Sequence, residues 1–295
     1  MSVITDRSEI GLRGRLADFR RQLFGHLPTI GLGGGLLVVL VLVAIFAPYL
    51  FTLDPITFNP IDRLQSFNPQ HWLGTDMYGR DIYSRTVYGT RISLFVGLVA
   101  ALLSVAVGLL IGLIAGYIRI LDAILMRIMD GLMAIPGILL AIALVSLSGA
   151  SLLTVTVAIT VPEVPRVVRL VRSIVLSVRE EPYVEAAISV GTPLPAILWR
   201  HVLPNTIPPL IVQATYVCAS AMLTEAILSF LGAGTPPEIP SWGNMMAEGR
   251  IYFQIAPWIV LVPGVALAIA VLSVNILGDG LRDTLDPRIA KRMRA

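Results

Sequence analysis

Three carboxylates offer this chain its clearest chemical possibility. Asp130, Glu163 and Glu225 lie in or beside long apolar runs. A charge near the centre of a bilayer costs about 2.5–3.5 kcal/mol on insertion scales, so acids kept there are the groups a proton relay would use. Glu163 also stands between Pro162 and Pro165, a pair that could interrupt a helix as in proton-coupled secondary transporters. The competing reading places each acid close enough to a membrane face to be hydrated. Other chemistry is poorly represented. A phosphate-cradling P-loop needs a lysine after a glycine-rich stretch. The single lysine is Lys291, and Gly31, Gly33, Gly34 and Gly35 match no such fingerprint. His26, His71 and His201 fall in separate segments, which argues against a histidine zinc site. The lone Cys218 excludes a cysteine-based cluster within one chain. No Gly-x-Ser-x-Gly elbow occurs. The expectation is a non-catalytic protein with no cofactor or metal of its own.

The elements that must position these acids are membrane helices. The 295 residues are 56% hydrophobic and only 14% charged, and the mean hydropathy is +0.81. A soluble domain carries charges on roughly a quarter of its residues, and a disordered chain is far less apolar. A bilayer core takes about 20 apolar residues per helix. Six stretches qualify, at 29–51, 92–118, 123–147, 152–170, 207–231 and 258–277. The predicted fold is therefore an all-α membrane protein with six transmembrane helices. With the N-terminus inside, 17 of the 22 basic residues fall in cytoplasmic segments and 5 outside, so both termini are expected to be cytoplasmic. The chain then divides into a cytoplasmic tail at 1–28, a first span at 29–51, an outer segment at 52–91, a five-helix core at 92–277 and a second tail at 278–295.

Two of these parts carry further pattern. In the first tail Leu12, Leu16, Phe19, Leu23 and Leu27 recur at helical spacing, with Arg13, Arg15, Arg20 and Arg21 between them. Such a pattern predicts an amphipathic helix lying on the inner leaflet. In the second span Ala100, Ser104, Gly108, Gly112 and Gly116 set a small residue at every fourth position. This smooth strip lets another backbone approach closely and predicts a tight helix pair.

The loop between the fourth and fifth spans, at 180–205, is too long for a simple connector. Glu180 and Glu181 precede Pro182, a favourable helix start with acids at the positive dipole end. The helix continues to Val190, and Gly191 ends it as a left-handed cap. Thr192 is expected to cap a second helix with Pro193 at its first position, and Pro195 is tolerated in the first turn. Leu194, Ile197, Leu198 and His201 form one face of that helix, and Pro204 is expected to stop it. The result is a cytoplasmic helix–turn–helix.

Here the sequence resembles a known family. Glu185-Ala186-Ala187, three residues, Gly191, then Leu203-Pro204 is similar to the EAA loop of ABC importer permeases. Three further stretches resemble the dipeptide/oligopeptide/nickel branch. One runs from His71-Trp72-Leu73-Gly74-Thr75-Asp76 to Gly79-Arg80-Asp81 and Ser84-Arg85. Another is Glu225-Ala226-Ile227-Leu228-Ser229-Phe230-Leu231-Gly232, followed by Pro240-Ser241-Trp242-Gly243. The last is Gly278-Asp279-Gly280-Leu281-Arg282-Asp283, followed by Leu285-Asp286-Pro287. Together they cover 71–287 in family order, and the chain looks like the second, C-type permease of such an importer. The resemblance implies that the loop is a coupling helix docking on an ATPase subunit, with Glu185, Ala186, Ala187, Gly191, Leu194, Leu198, His201, Leu203 and Pro204 at that contact. It implies a homologous permease, two ATP-binding subunits or one fused ATPase, and a substrate-binding protein as partners. ATP and magnesium would be bound by the ATPases.

The outer segment at 232–257 carries Pro236, Pro237 and Pro240 together with Trp242, Met245, Met246, Tyr252 and Phe253. With His71, Gly74, Asp76, Arg80 and Asp81 it is expected to form an outer cap that receives the binding protein, since aromatic and methionine side chains are common interface groups. An outer helix dipping into the lipid headgroups fits the same composition, and the two readings can coexist.

Overall fold

The computed structural model describes residues 28–285. The expected interfacial helix at 1–28 and the end of the second tail lie outside the described residues. The elements are α1 (Pro28–Phe46), α2 (Ile82–Tyr117), α3 (Arg119–Ala134), α4 (Gly137–Ser148), α5 (Leu152–Arg179), α6 (Pro182–Ser189), α7 (Leu194–Ile197), α8 (Leu203–Phe230), α9 (Trp242–Gly249) and α10 (Trp258–Leu285). Among the described residues the only β pairing is an isolated bridge between Thr75 and Asp81.

Among the described residues, four helices are long and apolar enough to cross a membrane: Thr29–Tyr49, Ile82–Tyr117, Leu194–Phe230 and Trp258–Leu285. A fifth crossing is added if α3 and α4 count as one bent span. α5 has the length, but Glu163, Arg166 and Arg169 interrupt its apolar stretch.

The boundaries differ from the sequence expectation at three places, each with a local cause. α2 begins ten residues earlier than the apolar run, because Asp81 caps it: the carboxylate accepts from the Ser84 amide at 2.7 Å and from its hydroxyl at 2.6 Å. The stretch at 123–147 is not one straight span, since α3 and α4 meet at 90°. Pro136 lacks an N–H, and Ile135 before it is extended, with φ −93° and ψ 129°, as a residue preceding proline prefers. Pro162 and Pro165, by contrast, do not break α5, which runs helically through both.

α5 packs closely on its neighbour α2. An added Cβ at Gly108, Gly112 or Gly116 of α2 would lie 2.5–2.6 Å from the Cβ of Val167, Val171 or Val175 of α5. Both helices use a period of four, so each glycine receives one valine, and the backbones meet at a distance no side chain would allow. Above this ladder the Ser104 hydroxyl donates to the Thr160 carbonyl at 3.5 Å. Val167, Val171 and Val175 continue into a cluster with Val178, Val184, Ile197, Val202 and Leu210. α1 lies at the edge, packed along α10, where Gly33 faces the Leu277 backbone. Much of its remaining surface is exposed.

The ladder gives a direct prediction. Gly112→Ala should cost about 1–3 kcal/mol, the usual cost of overpacking, read as a lowered Tm of the detergent-solubilised protein. Adding Val171→Gly transposes the pair and should recover most of that loss. If Gly112→Ala alone leaves Tm unchanged, the close approach is not what holds α2 to α5.

Candidate functional site

The loop at 180–205 is built on α6. Glu181 stands at its N-cap and Pro182 at its first turn. At the other end Gly191 has φ +81°. Its N–H donates to the Ile188 carbonyl at 2.9 Å, and the Thr192 N–H donates to Ala187 at 3.1 Å. These are the two bonds of a Schellman turn. An added Cβ at Gly191 would meet nothing within 4 Å, so glycine is required by the backbone angle and not by crowding.

Beneath the loop Val184 is buried with Val178, Ile197 and Val202. Beside it the Tyr183 ring packs on His201 with centroids 5.9 Å apart. The Asn205 amide donates to the Tyr183 hydroxyl at 3.2 Å and to the His201 carbonyl at 2.6 Å. Glu185 and Ala186 are exposed, Ala187 half-buried. Leu194, Leu198, His201 and Leu203 are each half-buried along the following helix, and Pro204 is exposed.

That following helix departs from expectation twice. Pro193, not Thr192, is its N-cap, and no side chain caps it. Pro204 does not stop it: α7 passes through a π turn at Leu198–Val202 directly into α8. Proline has no N–H to return to a carbonyl one turn back, and it falls here in the first turn after the π segment, where that bond is dispensable. The loop's second helix and the fifth apolar run are therefore one rod, Leu194–Phe230. Sequence reasoning also missed the apolar rim. Val190 is 81% exposed and Trp199 76%, with Tyr183 and Ile188 nearly half so. The available signal was four large apolar side chains in a loop expected to face water.

At the far end of α8 sits the cap. Asp76, Arg80, Arg85 and Glu248 form one buried charge cluster. Arg80 Nε donates to Asp76 Oδ2 at 2.6 Å, and its Nη2 also reaches Glu248. Arg85 Nη2 lies 3.2 Å from the same Glu248 oxygen. The Arg80 guanidinium stacks on Tyr78 at 4.7 Å. His71 Nδ1 pairs with Asp81 Oδ1 at 3.1 Å, and Gly74 turns the chain at φ +76° against the Trp258 indole.

Trp242 opens α9 and is fully buried. Its indole N–H donates to the Thr86 carbonyl at 3.0 Å, and its ring lies against Gly89. It fastens the cap to α2 and presents its ring neither to a partner nor to headgroups. Ser241 caps α9 by accepting from the Asn244 amide at 3.1 Å. Its hydroxyl also donates to Glu225 at 2.9 Å.

The three acids of the apolar runs have separate partners. Asp130 pairs with Arg169 at 2.6 Å, both half-exposed. Glu163 pairs with Arg166 on its own helix at 3.1 Å and accepts from Ser220 at 3.0 Å. Glu225 accepts from Ser229 and Ser241, each at 2.9 Å. Such separate engagements do not link the three acids to one another, and the proton-coupled reading gains no support from them.

Residues 108–291 match the family described as binding-protein-dependent transport system inner membrane component. A probable peptide ABC transporter permease protein of Sinorhizobium fredii is 57% identical over 265 residues, which cover 90% of this chain and 91% of that protein. A dipeptide transport system permease protein of Alkalihalophilus pseudofirmus is 46% identical over 258 residues, covering 86% and 85%. A glutathione transport system permease protein of Pectobacterium atrosepticum is 41% identical over 293 residues, covering 98% and 95%. In fold, the chain resembles one of the inward-facing MetNI methionine ABC transporter, with a TM-score of 0.57 at 21% identity over 70% of this chain and 98% of that one. A Gly191 turn at one end of a long rod, a fastened cap at the other and these relatives lead to one conclusion: the chain belongs to the inner membrane components of binding-protein-dependent ABC transport systems, as a permease subunit.

Proposed function

We propose that this chain is the second permease of a peptide-type ABC importer in a bacterial or archaeal cytoplasmic membrane. It would pair with a homologous permease along a shared pathway, with ATP-binding subunits on the cytoplasmic side and a binding protein delivering substrate outside. ATP and magnesium belong to the ATPases. The observation that carries this reading is the exposed apolar rim of Tyr183, Ile188, Val190 and Trp199 around the Schellman turn at Gly191. A rim of that kind on a helix fixed from below by Val184 is suited to insertion in a groove of a partner. The names of the relatives favour short peptides as cargo.

The span count in this reading is six: α1, α2, the bent pair α3–α4, α5, α8 and α10, with both termini inside. The decisive experiment is reconstitution with the partner subunits in vesicles. Peptide uptake should require ATP and the binding protein together and should persist without a proton gradient. Uptake that follows the gradient and ignores ATP would overturn the proposal. Topology has its own check, in a background carrying Cys218→Ser. Gln70→Cys should react with an impermeant thiol reagent from outside, and Ser189→Cys only after the membrane is opened. The reverse pattern would invert the orientation.

A further inference from the structure

The bend between α3 and α4 opens on a cavity of about 440 Å³. Leu132, Met133, Ile135, Pro136, Gly137 and Ile138 form one wall of it, and Pro162, Glu163, Arg166, Ser220 and Thr224 contribute the opposite side. Glu163 is the twelfth residue of the 28 in α5, and Ser220 the eighteenth of the 28 in α8. Both therefore stand at least ten residues from the nearer end of a long helix.

Three observations distinguish this cavity from a packing defect. Non-helical backbone at membrane depth is tolerated where it is buried in protein or lines water, yet Ile135 and Pro136 are exposed. The first-turn amides of α4 have no intrahelical acceptor, and Gly137 and Ile138 line the cavity. Finally, the polar side chains converge there unequally. The Glu163 side chain is only 9% exposed, but its partner Arg166 is 47% exposed. Arg166 uses only Nη1 on Glu163, and its Nε and Nη2 have no partner among the described residues.

From this arrangement we infer that the cavity is a contact site for the charged ends of a short peptide on its way through the permease. Glu163 receives the free ammonium group, and Arg166 receives the carboxylate. A bent membrane helix, a carboxylate oriented by Ser220 and one nitrogen of Arg166, and a guanidinium with unused donors make a zwitterion the matching ligand. The volume lies within the range of small-ligand pockets. Each charged end would exchange its water for a charge-assisted hydrogen bond. The inference rests on the permease reading and adds to it a place and the charged ends by which the cargo is held.

The test uses the whole reconstituted complex carrying Cys218→Ser and Thr224→Cys, labelled with aminoethyl methanethiosulfonate. The probe ligand is dialanine, with N-acetyl-dialanine as the analogue lacking the ammonium. Dialanine should slow labelling about tenfold, equivalent to about 1.4 kcal/mol, and the acetylated form should not. Glu163→Gln should abolish that protection, and Glu163→Asp should keep part of it, in preparations that retain their ATPase subunits. Equal labelling rates with and without dialanine, or protection by the acetylated form as well, would overturn the inference. A complex whose ATPase does not respond to the binding protein would instead overturn the permease reading, so the two failures are separable.

Discussion

Gly191→Val should leave the protein inserted and assembled while reducing binding-protein-stimulated ATP hydrolysis and uptake at least about tenfold. At φ +81° a residue with a Cβ loses about 1–2 kcal/mol relative to the ordinary helical region, and a β-branched one is a clear outlier. The chain can avoid that cost only by abandoning the turn. Both Schellman bonds, from Gly191 to Ile188 and from Thr192 to Ala187, would then be lost, and α6 would swing relative to the rod that follows. Open space around the position means that volume contributes nothing, so Gly191→Asn should recover much of the function, because asparagine tolerates the left-handed region. The measurement is the ATPase rate of the reconstituted complex against binding-protein concentration. A Gly191→Val complex with wild-type stimulation would show that the turn does not transmit the stroke.

The second large effect is expected in the cap. Glu248→Leu should destabilise it by about 3–5 kcal/mol, the usual result of removing one partner from a buried ion pair. The Arg80 and Arg85 side chains are 4% and 1% exposed, so neither can recover its hydration without moving. Arg80 keeps Asp76, but Arg85 keeps a 3.8 Å approach to it and a 3.3 Å bond to the Pro55 carbonyl, with no carboxylate in close contact. Hydrogen exchange over 58–81 and 242–252 should accelerate, and docking of the loaded binding protein should weaken. Adding Arg85→Met removes the stranded charge and should restore much of the protection, since a buried pair replaced by apolar groups is often neutral. Unchanged exchange in Glu248→Leu would mean that the cap is held by Trp242 and its neighbours without the charge cluster.

Much of this architecture is legible in the sequence, because membrane helices advertise themselves by composition and the α2 strip by its period. The coupling turn is legible for a different reason: Pro182 and Gly191 each act through their own backbone. What escapes is what depends on a third body. The run at 123–147 is apolar on both sides of Pro136, so hydropathy passes over the bend. Pro162 and Pro165 look identical in kind to Pro136, yet α5 remains helical through both. Trp242 has the composition of a surface anchor, and only packing against Thr86 and Gly89 reveals it as interior. Arg85 and Arg91 read as loop charges, although they ride on the first turns of α2.

The uninterrupted helix Leu194–Phe230 has a mechanical consequence. Its 37 residues span about 55 Å at 1.5 Å per residue, from the base of the coupling turn to the carboxylate tether between Glu225 and Ser241. Moving as one body, a helix of that length would act as a rocker arm. Pivoted at its midpoint, a tilt of roughly 10° carries the two tips about 5 Å in opposite directions. No relay of small rearrangements is then needed between the ATP-hydrolysing side and the side that meets substrate. A push at one tip would then be delivered at the other with its direction reversed, and narrowing on one face of the membrane would become widening on the other in a single movement.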